Sequence, residues 1–331
     1  MRVLVVKMSS LGDVIHTLPA LSDAISALPE LSFDWVVEEA FAEIPAWHPA
    51  VDRVIPLALR RWRKHPLREA FGSEWRAVRG ALRERPYAAV IDAQGLIKSA
   101  VVSRLVPAPR YGLDQVSARE RLAALAYDHP IRVARDMHAV ERTRLLFARA
   151  LGYQLPRAPG DYGLSDTVEP IIAAQPPAIL FFHGTARAEK LWPEEHWIAL
   201  AAHAAESGYE VLLPWGNAEE QQRANRIAAR AANAQVLPRL SLRQLRSRLQ
   251  TATAAVAVDT GLGHLSAALS VPTVSLYGPT STRLIGAYGR NQLHLQSPLL
   301  GGGTANPAEL MRAIAPTAVW QGLQTTLAEA G

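Results

Sequence analysis

The segment Asp259-Thr260-Gly261-Leu262-Gly263-His264 follows an apolar run, Ala254 to Val258, and opens a helix-like run from Leu262 to Leu269. A strand that ends in Asp-Thr-Gly and enters a helix presents unpaired backbone N–H groups. Together with the helix dipole these make a seat for phosphate. Gly261 and Gly263 would let a ligand approach the backbone closely. The same residues also suit an ordinary helix cap, so the other strand ends have to be weighed with it. The run Ala178 to Phe182 delivers His183-Gly184-Thr185, then Arg187, Glu189, Lys190 and Trp192. Thr185 offers a hydroxyl and Lys190 a mobile cation, both suited to phosphate oxygens. Tyr209 to Leu213 delivers Pro214-Trp215-Gly216 and then Glu219-Glu220. A carboxylate there could take both hydroxyls of a ribose, or simply complement a helix start. At Leu237-Pro238-Arg239-Leu240 an apolar side chain could border an adenine ring. Together these residues describe a pocket for a nucleoside diphosphate.

The first half offers different chemistry. Its first loop, Ser9-Ser10-Leu11-Gly12-Asp13, lacks the Gly-x-Gly-x-x-Gly spacing of nicotinamide and flavin sites. Asp13 stands where its carboxylate could remove a proton from an attacking hydroxyl, or where it could merely cap the following helix. The stretch Arg53 to Arg85 holds Arg53, Arg60, Arg61, Arg63, Lys64, Arg68, Arg76, Arg79, Arg83 and Arg85 against only Glu69, Glu74 and Glu84. Helical spacing explains Arg76, Arg79 and Arg83 as a solvated face. It explains Arg60-Arg61-Trp62-Arg63-Lys64 less well, and that cluster points to an anionic partner. The 10 histidines form no His-x-x-x-His pair, no Asp-x-Asp is present, and no Gly-x-Ser-x-Gly elbow appears. A metal site and a serine hydrolase are therefore both poorly supported, and a nucleic-acid reader lacks any recognisable module.

These residues need two frames to hold them. The chain has 331 residues, 49% of them apolar and 20% charged, with no cysteine and a formal net charge of +5. That is enough for two domains with cores of their own, and it excludes disulfides and thiolate chemistry. The apolar start, Val3 to Val6, is too short for a signal-peptide core and reads as a strand. With no run long enough to span a bilayer, the protein reads as soluble and cytoplasmic. Strands are expected at Val3–Val6, Phe33–Val37, Arg53–Leu57 and Ala88–Ile91, with a helix from Val14 to Leu28. The second half repeats the scheme with strands at Ala178–Phe182, Tyr209–Leu213, Gln235–Leu237, Ala254–Val258 and Thr273–Tyr277. Short apolar strands alternating with helices predict parallel sheets covered on both faces. The expected architecture is α/β, with two doubly wound Rossmann-like domains facing a central cleft. The boundaries fall at 1–165, 166–310 and a C-terminal helical tail, 311–331, that packs back toward the first domain.

The chain resembles the ADP-heptose:lipopolysaccharide heptosyltransferases, inverting glycosyltransferases of the GT-B fold. The resemblance runs along essentially the whole chain. It is carried by VLVVKMSSLGDVIHTLPAL, FDWVVEEAFAEIPAWHPAVDRVIP, RRWRK, VIDAQGLIKSA, HAVERTRLLFA, KLWPEEHW, LLPWGNAEEQQRA, VDTGLGHLSAAL and YGPTSTRLIGAYG. RRWRK together with DAQGLIKSA favours the members that add the first heptose. Such enzymes would move L-glycero-D-manno-heptose from ADP-heptose to the first Kdo of Kdo2-lipid A, without metal or other cofactor. The alternatives are a member adding a later heptose and, from another class, a nucleotide-sugar epimerase.

The resemblance also implies roles. Asp13 would be the general base, and Lys190 with Thr185 would meet the diphosphate. Glu220 would hold ribose, and Leu240 would lie near adenine. Asp259, Thr260, Gly261 and His264 would line the heptose and phosphate end. Arg60, Arg61, Arg63, Lys64 and Arg119 would engage acceptor phosphates or carboxylates, with Ser10, Gly12 and Gln94 beside them. Ala186 stands in the donor loop where a second hydroxyl is expected, so one phosphate contact would be missing or replaced by backbone N–H. The acceptor would be an anionic glycolipid, met by a peripheral protein on the cytoplasmic face of the inner membrane. Base and leaving-group stabiliser come from different domains, so closure on substrate is expected.

Overall fold

A computed structural model describes residues 1–62, 72–164, 176–301 and 306–330. The chain divides into two compact units, Met1–Thr167 and Val168–Gly331.

The first unit holds a six-stranded sheet: β1 (Arg2–Val6), β2 (Ser32–Glu38), β3 (Val51–Leu57), β4 (Ala89–Asp92), β5 (Arg110–Leu113) and β6 (His129–Ile131). Their spatial order is β3-β2-β1-β4-β5-β6, and every neighbouring pair is parallel. Val3 to Val6 are completely buried, as are Phe33, Trp35, Val90 and Ile91. A strand covered on both faces tolerates no alternation of polar residues, so these read as continuous apolar runs. The second unit repeats the plan with β7 (Ala178–Phe182), β8 (Glu210–Leu213), β9 (Ala234–Val236), β10 (Ala254–Val258), β11 (Thr273–Tyr277) and β12 (Gln292–Gln296). Its order is β12-β11-β10-β7-β8-β9, again parallel throughout. In both sheets the order reverses beside the unit's first strand, between β1 and β4 and between β7 and β10. Ligands of doubly wound sheets sit at the carboxyl ends of strands flanking such a reversal.

Two expectations need correction. The helix expected from Val14 to Leu28 is two helices, Leu11–Ile15 and Leu18–Ala27. Pro19 has no N–H to continue a helix but is tolerated in the first turn of a new one. The strands β5, β6 and β12 were not expected at all, because RYGL, HPI and QLHLQ are short and mixed in polarity. The tail packs onto the second unit. Its helix Pro316–Ala330 places Val319, Trp320 and Leu323 in the same core as Ile179, Phe181, Trp197 and Leu213, all of the second unit. Those apolar side chains are thereby satisfied within their own half. Among the described residues no helix is long and apolar enough to cross a membrane.

Candidate functional site

In the second unit, β7 and β10 deliver their loops side by side. Lys190 Nζ lies 2.5 Å from Asp259 Oδ2, and the two side chains are only 14% and 8% exposed. Thr185 donates its hydroxyl to the carbonyl oxygen of Asp259 at 3.0 Å. Thr185, Lys190 and Asp259 are thus one cluster at the sheet's reversal. Thr260 is the extended residue that begins the Gly261–Ala268 helix, and its hydroxyl makes no cap bond. The dipole of that helix and the Lys190 ammonium therefore converge on the same corner, which is the electrostatics a diphosphate requires. His264 is buried in the helix's first turns. Gly263 serves packing rather than ligand approach: a Cβ there would lie 3.1 Å from Ala257 Cβ on β10.

Beside this cluster, Gly184, Thr185 and Ala186 share a pocket of about 230 Å³ with Asn217, Glu219, Glu220 and Arg223. Glu220 is fixed from two sides. Gly216 N–H donates to its Oε2 at 2.7 Å, while its own N–H donates to Asn217 Oδ1 at 2.9 Å. A Cβ on Gly184 would fall 2.6 Å from Glu220 Cδ, so only glycine leaves the carboxylate where it is. Gly184 was not singled out from the sequence, because its importance depends on a contact with a residue far along the chain. Leu240, half-buried after β9, is not among the residues lining this pocket. Beneath the donor loop His183 is fully buried, and burial pushes its imidazole down to about 4, so it is neutral at ordinary pH.

In the first unit, β1 and β4 supply the corresponding loops. Asp13 lies in the first turn of Leu11–Ile15, and its Oδ2 accepts from Ser10 N at 2.9 Å and Ser10 Oγ at 2.7 Å. Lys7 Nζ stands 3.9 Å from Asp13 Oδ1 and donates to Ala93 O at 2.9 Å. Asp13 does cap its helix, yet the side chain remains 44% exposed. Gly12, buried in the same turn, is part of that frame.

Gln94 acts as a clamp. Its Oε1 accepts from Met8 N at 2.7 Å and Ser9 N at 3.1 Å, and its Nε2 donates to Ser9 O at 2.5 Å. An amide so committed to its own protein fixes the loop carrying Asp13. Gln94 is held in turn by Asp92, a completely buried carboxylate whose Oδ1 accepts from Gln94 N and Gly95 N and whose Oδ2 accepts from Tyr127 Oη at 2.8 Å. Burial pushes the Asp92 carboxyl above its usual range. The chain Tyr127–Asp92–Gln94–Ser9 therefore underpins the loop, and only its Gln94 member was picked out from the sequence.

The basic cluster is less free than its composition implies. The Arg61 guanidinium is bracketed by Glu39 and Glu74, at 3.2 and 3.0 Å. Arg53 is consumed by Asp34, Glu84, Tyr87 and the Ala81 carbonyl. Arg60 lies over the Phe41 ring, its Cζ 5.0 Å from the centroid. Arg63 and Lys64 fall outside the described residues. Arg119 is exposed, on the loop beside Gly95. Among the described residues, no group of three or more His, Cys, Asp or Glu side chains suited to holding a metal ion occurs.

The family model of glycosyltransferase family 9 (heptosyltransferase) matches residues 75–301. Lipopolysaccharide heptosyltransferase 1 of Pseudomonas aeruginosa is 58% identical over 300 residues, covering 90% of this chain and 84% of that protein. Its namesake from Escherichia coli K12 is 50% identical over 302 residues, covering 90% of this chain and 94% of that one. The solved structure of E. coli heptosyltransferase WaaC with ADP superposes with a TM-score of 0.90 at 47% identity, covering 98% of this chain and 100% of that one. Two parallel sheets of shared strand order, a Thr185–Lys190–Asp259 cluster at a helix start in one and the framed Asp13 carboxylate in the other, thus accompany a family match across most of the sequence. The chain belongs to glycosyltransferase family 9, the heptosyltransferases, and has their GT-B fold.

Proposed function

We propose that this chain transfers a heptosyl group from ADP-heptose to the lipopolysaccharide inner core. In this reading the acceptor is the first Kdo of Kdo2-lipid A. The observation that carries the reading is the Thr185–Lys190–Asp259 corner at a helix start, which suits a nucleotide diphosphate leaving group. It is supported by relatives named lipopolysaccharide heptosyltransferase 1 and by a neighbouring structure described with ADP-2-deoxy-2-fluoro heptose.

The chemistry is an inverting displacement. Asp13, oriented by Ser10, removes the proton from the acceptor hydroxyl as that oxygen attacks the anomeric carbon. Lys190 and the N–H groups of the Gly261–Ala268 helix take up the charge developing on the departing ADP. Glu220 receives the ribose hydroxyls, and Arg60 and Arg119 meet acceptor anions. The acceptor is an anionic glycolipid, so the protein works peripherally at the cytoplasmic face of the inner membrane.

The test is purified protein with ADP-heptose and Kdo2-lipid A in the presence of EDTA, following ADP release and acceptor mass. One heptose should be gained. Asp13→Asn should retain the Ser10 contacts and the melting temperature while losing roughly a hundred- to ten-thousandfold in turnover. Transfer only to an acceptor already bearing a heptose would move the chain to the next step of core assembly.

A further inference from the structure

Of the eight large apolar side chains that stand exposed among the described residues, five lie between residues 97 and 125: Ile97, Val101, Val116, Leu122 and Leu125. Four of them, Ile97, Val101, Leu122 and Leu125, lie on two short elements that pack together. Ala100 of the Ile97–Ser103 helix packs with Ala123 and Ala124 of the Arg121–Ala126 3-10 helix. Ile97 N donates to Glu120 Oε2 at 2.6 Å, and Glu120 N donates to Gly95 O at 3.1 Å, joining the starts of both elements. Ile97 and Val101 are four apart, on one face of an α-helix. Leu122 and Leu125 are three apart in a 3-10 helix, where such positions eclipse, and they form one ridge, 65% and 66% exposed.

Four cations surround the ridge: Lys98, Arg104, Arg119 and Arg121, all exposed. Among the described residues none of them makes an ion pair. The one carboxylate in their midst, Glu120, is turned onto the Ile97 amide. The face also adjoins the Asp13 loop, since Lys98 Nζ lies 3.5 Å from Ser9 Oγ.

We infer that this face, Ile97–Val101 with Leu122–Leu125 and its rim of Lys98, Arg104, Arg119 and Arg121, is where the protein rests on an anionic lipid bilayer. The inference rests on the reading that the acceptor is a membrane glycolipid, and it specifies the surface that meets the membrane. Apolar side chains projecting beyond a ring of uncompensated cations match a bilayer in both respects: leucines enter the acyl boundary while arginines meet lipid phosphates. A glycolipid whose tails stay in the bilayer would then present its sugar beside the loop that carries Asp13.

Co-sedimentation with vesicles of mixed phosphatidylethanolamine and phosphatidylglycerol tests this, using the full chain and the variant Leu122→Gln/Leu125→Gln. Both leucines are exposed, so the variant should melt like the parent. The parent should bind these vesicles and ignore pure phosphatidylcholine, and the variant should lose about tenfold or more in partitioning. A second variant, Arg104→Gln/Arg121→Gln, should lose roughly fivefold per cation at low salt. Transfer to Kdo2-lipid A embedded in vesicles should fall with the leucine variant, while transfer to a deacylated, water-soluble acceptor should not. Unchanged vesicle binding in both variants overturns the assignment. So does a parent dimer, seen by ultracentrifugation, that the leucine variant dissolves, because the face would then belong to a second copy. If the parent glycosylates neither acceptor, the functional reading has failed, and vesicle binding still decides the face on its own.

Discussion

Replacing Gly184 by alanine should separate donor binding from stability. The added Cβ would stand 2.6 Å from Glu220 Cδ and 2.8 Å from both Cγ and Oε1, well inside contact distance. Backbone strain does not enter, since Gly184 is not among the glycines with positive φ. The obstruction is the far end of a half-buried, flexible side chain, which can swing toward solvent, so the fold should survive nearly intact, within about 0.5 kcal/mol. What is lost is the placement of the carboxylate and the hydrogen bonds it would offer a ribose, while the exposed Gly216 N–H can turn to water. A hydrogen bond to a charged group contributes about 1.5–3 kcal/mol, so the Michaelis constant for ADP-heptose should rise roughly ten- to a hundredfold with turnover little changed. Initial rates at varied donor, alongside thermal melting, provide the measurement. The double variant Gly184→Ala/Glu220→Gln should be no worse than its weaker single member, because both act on one contact. A donor constant within twofold of the parent's, or a large loss of melting temperature, would refute the reasoning.

Other outcomes follow from the same structure. Tyr127→Phe removes the hydroxyl bond to the fully buried Asp92; thermal melting should show a loss of about 1–3 kcal/mol, and turnover should drop with little change in the donor constant, because the Gln94 clamp loosens. Lys190→Met leaves Asp259 without its 2.5 Å partner, so denaturant titration should show a loss of up to about 3–5 kcal/mol, and turnover should fall by roughly a hundredfold or more. Burial pushes both His48 and His183 down to about 4. Their unfolded forms take up protons near pH 6.5 while the folded forms do not, so stability is full above that value and is lost as pH falls toward 4, at up to about 1.4 kcal/mol per unit for each group. Melting curves should therefore shift down between pH 7.5 and 5, and less steeply in His48→Asn, whose side-chain oxygen can still accept the Ala50 N–H that now donates to Nδ1.

The sequence revealed whatever depended on local chemistry. Buried strands such as Val3–Val6 and Ala254–Val258 are legible because a parallel strand covered on both faces must be apolar throughout. The strands Arg110–Leu113 and His129–Ile131 are the last two on one side of the sheet, His129–Ile131 at its edge, where the apolar pattern weakens, and His129-Pro130 reads as a turn. Asp13, Thr185, Lys190 and Asp259 were legible because they stand at strand-to-helix junctions. Gly184, Asp92 and Tyr127 were not: each matters through a residue 35 or more positions away. Arg61 illustrates the reverse error. Within its own segment it is one of five consecutive cationic or aromatic residues, and only the fold brings Glu39 and Glu74 to it.

The shared strand order of the two sheets has an evolutionary consequence. Leu4, Val36 and Val90 lie in one core and Ile179, Val211 and Val256 in another, so each half satisfies its own apolar strands. Substitutions that retune recognition in one half leave the packing of the other untouched. On the proposal that the first half holds the acceptor and the second the nucleotide, a lineage could exchange the sugar chain it extends while inheriting its nucleotide chemistry, and chimaeras joined where Thr167 meets Val168 are the natural material with which to retrace such an exchange.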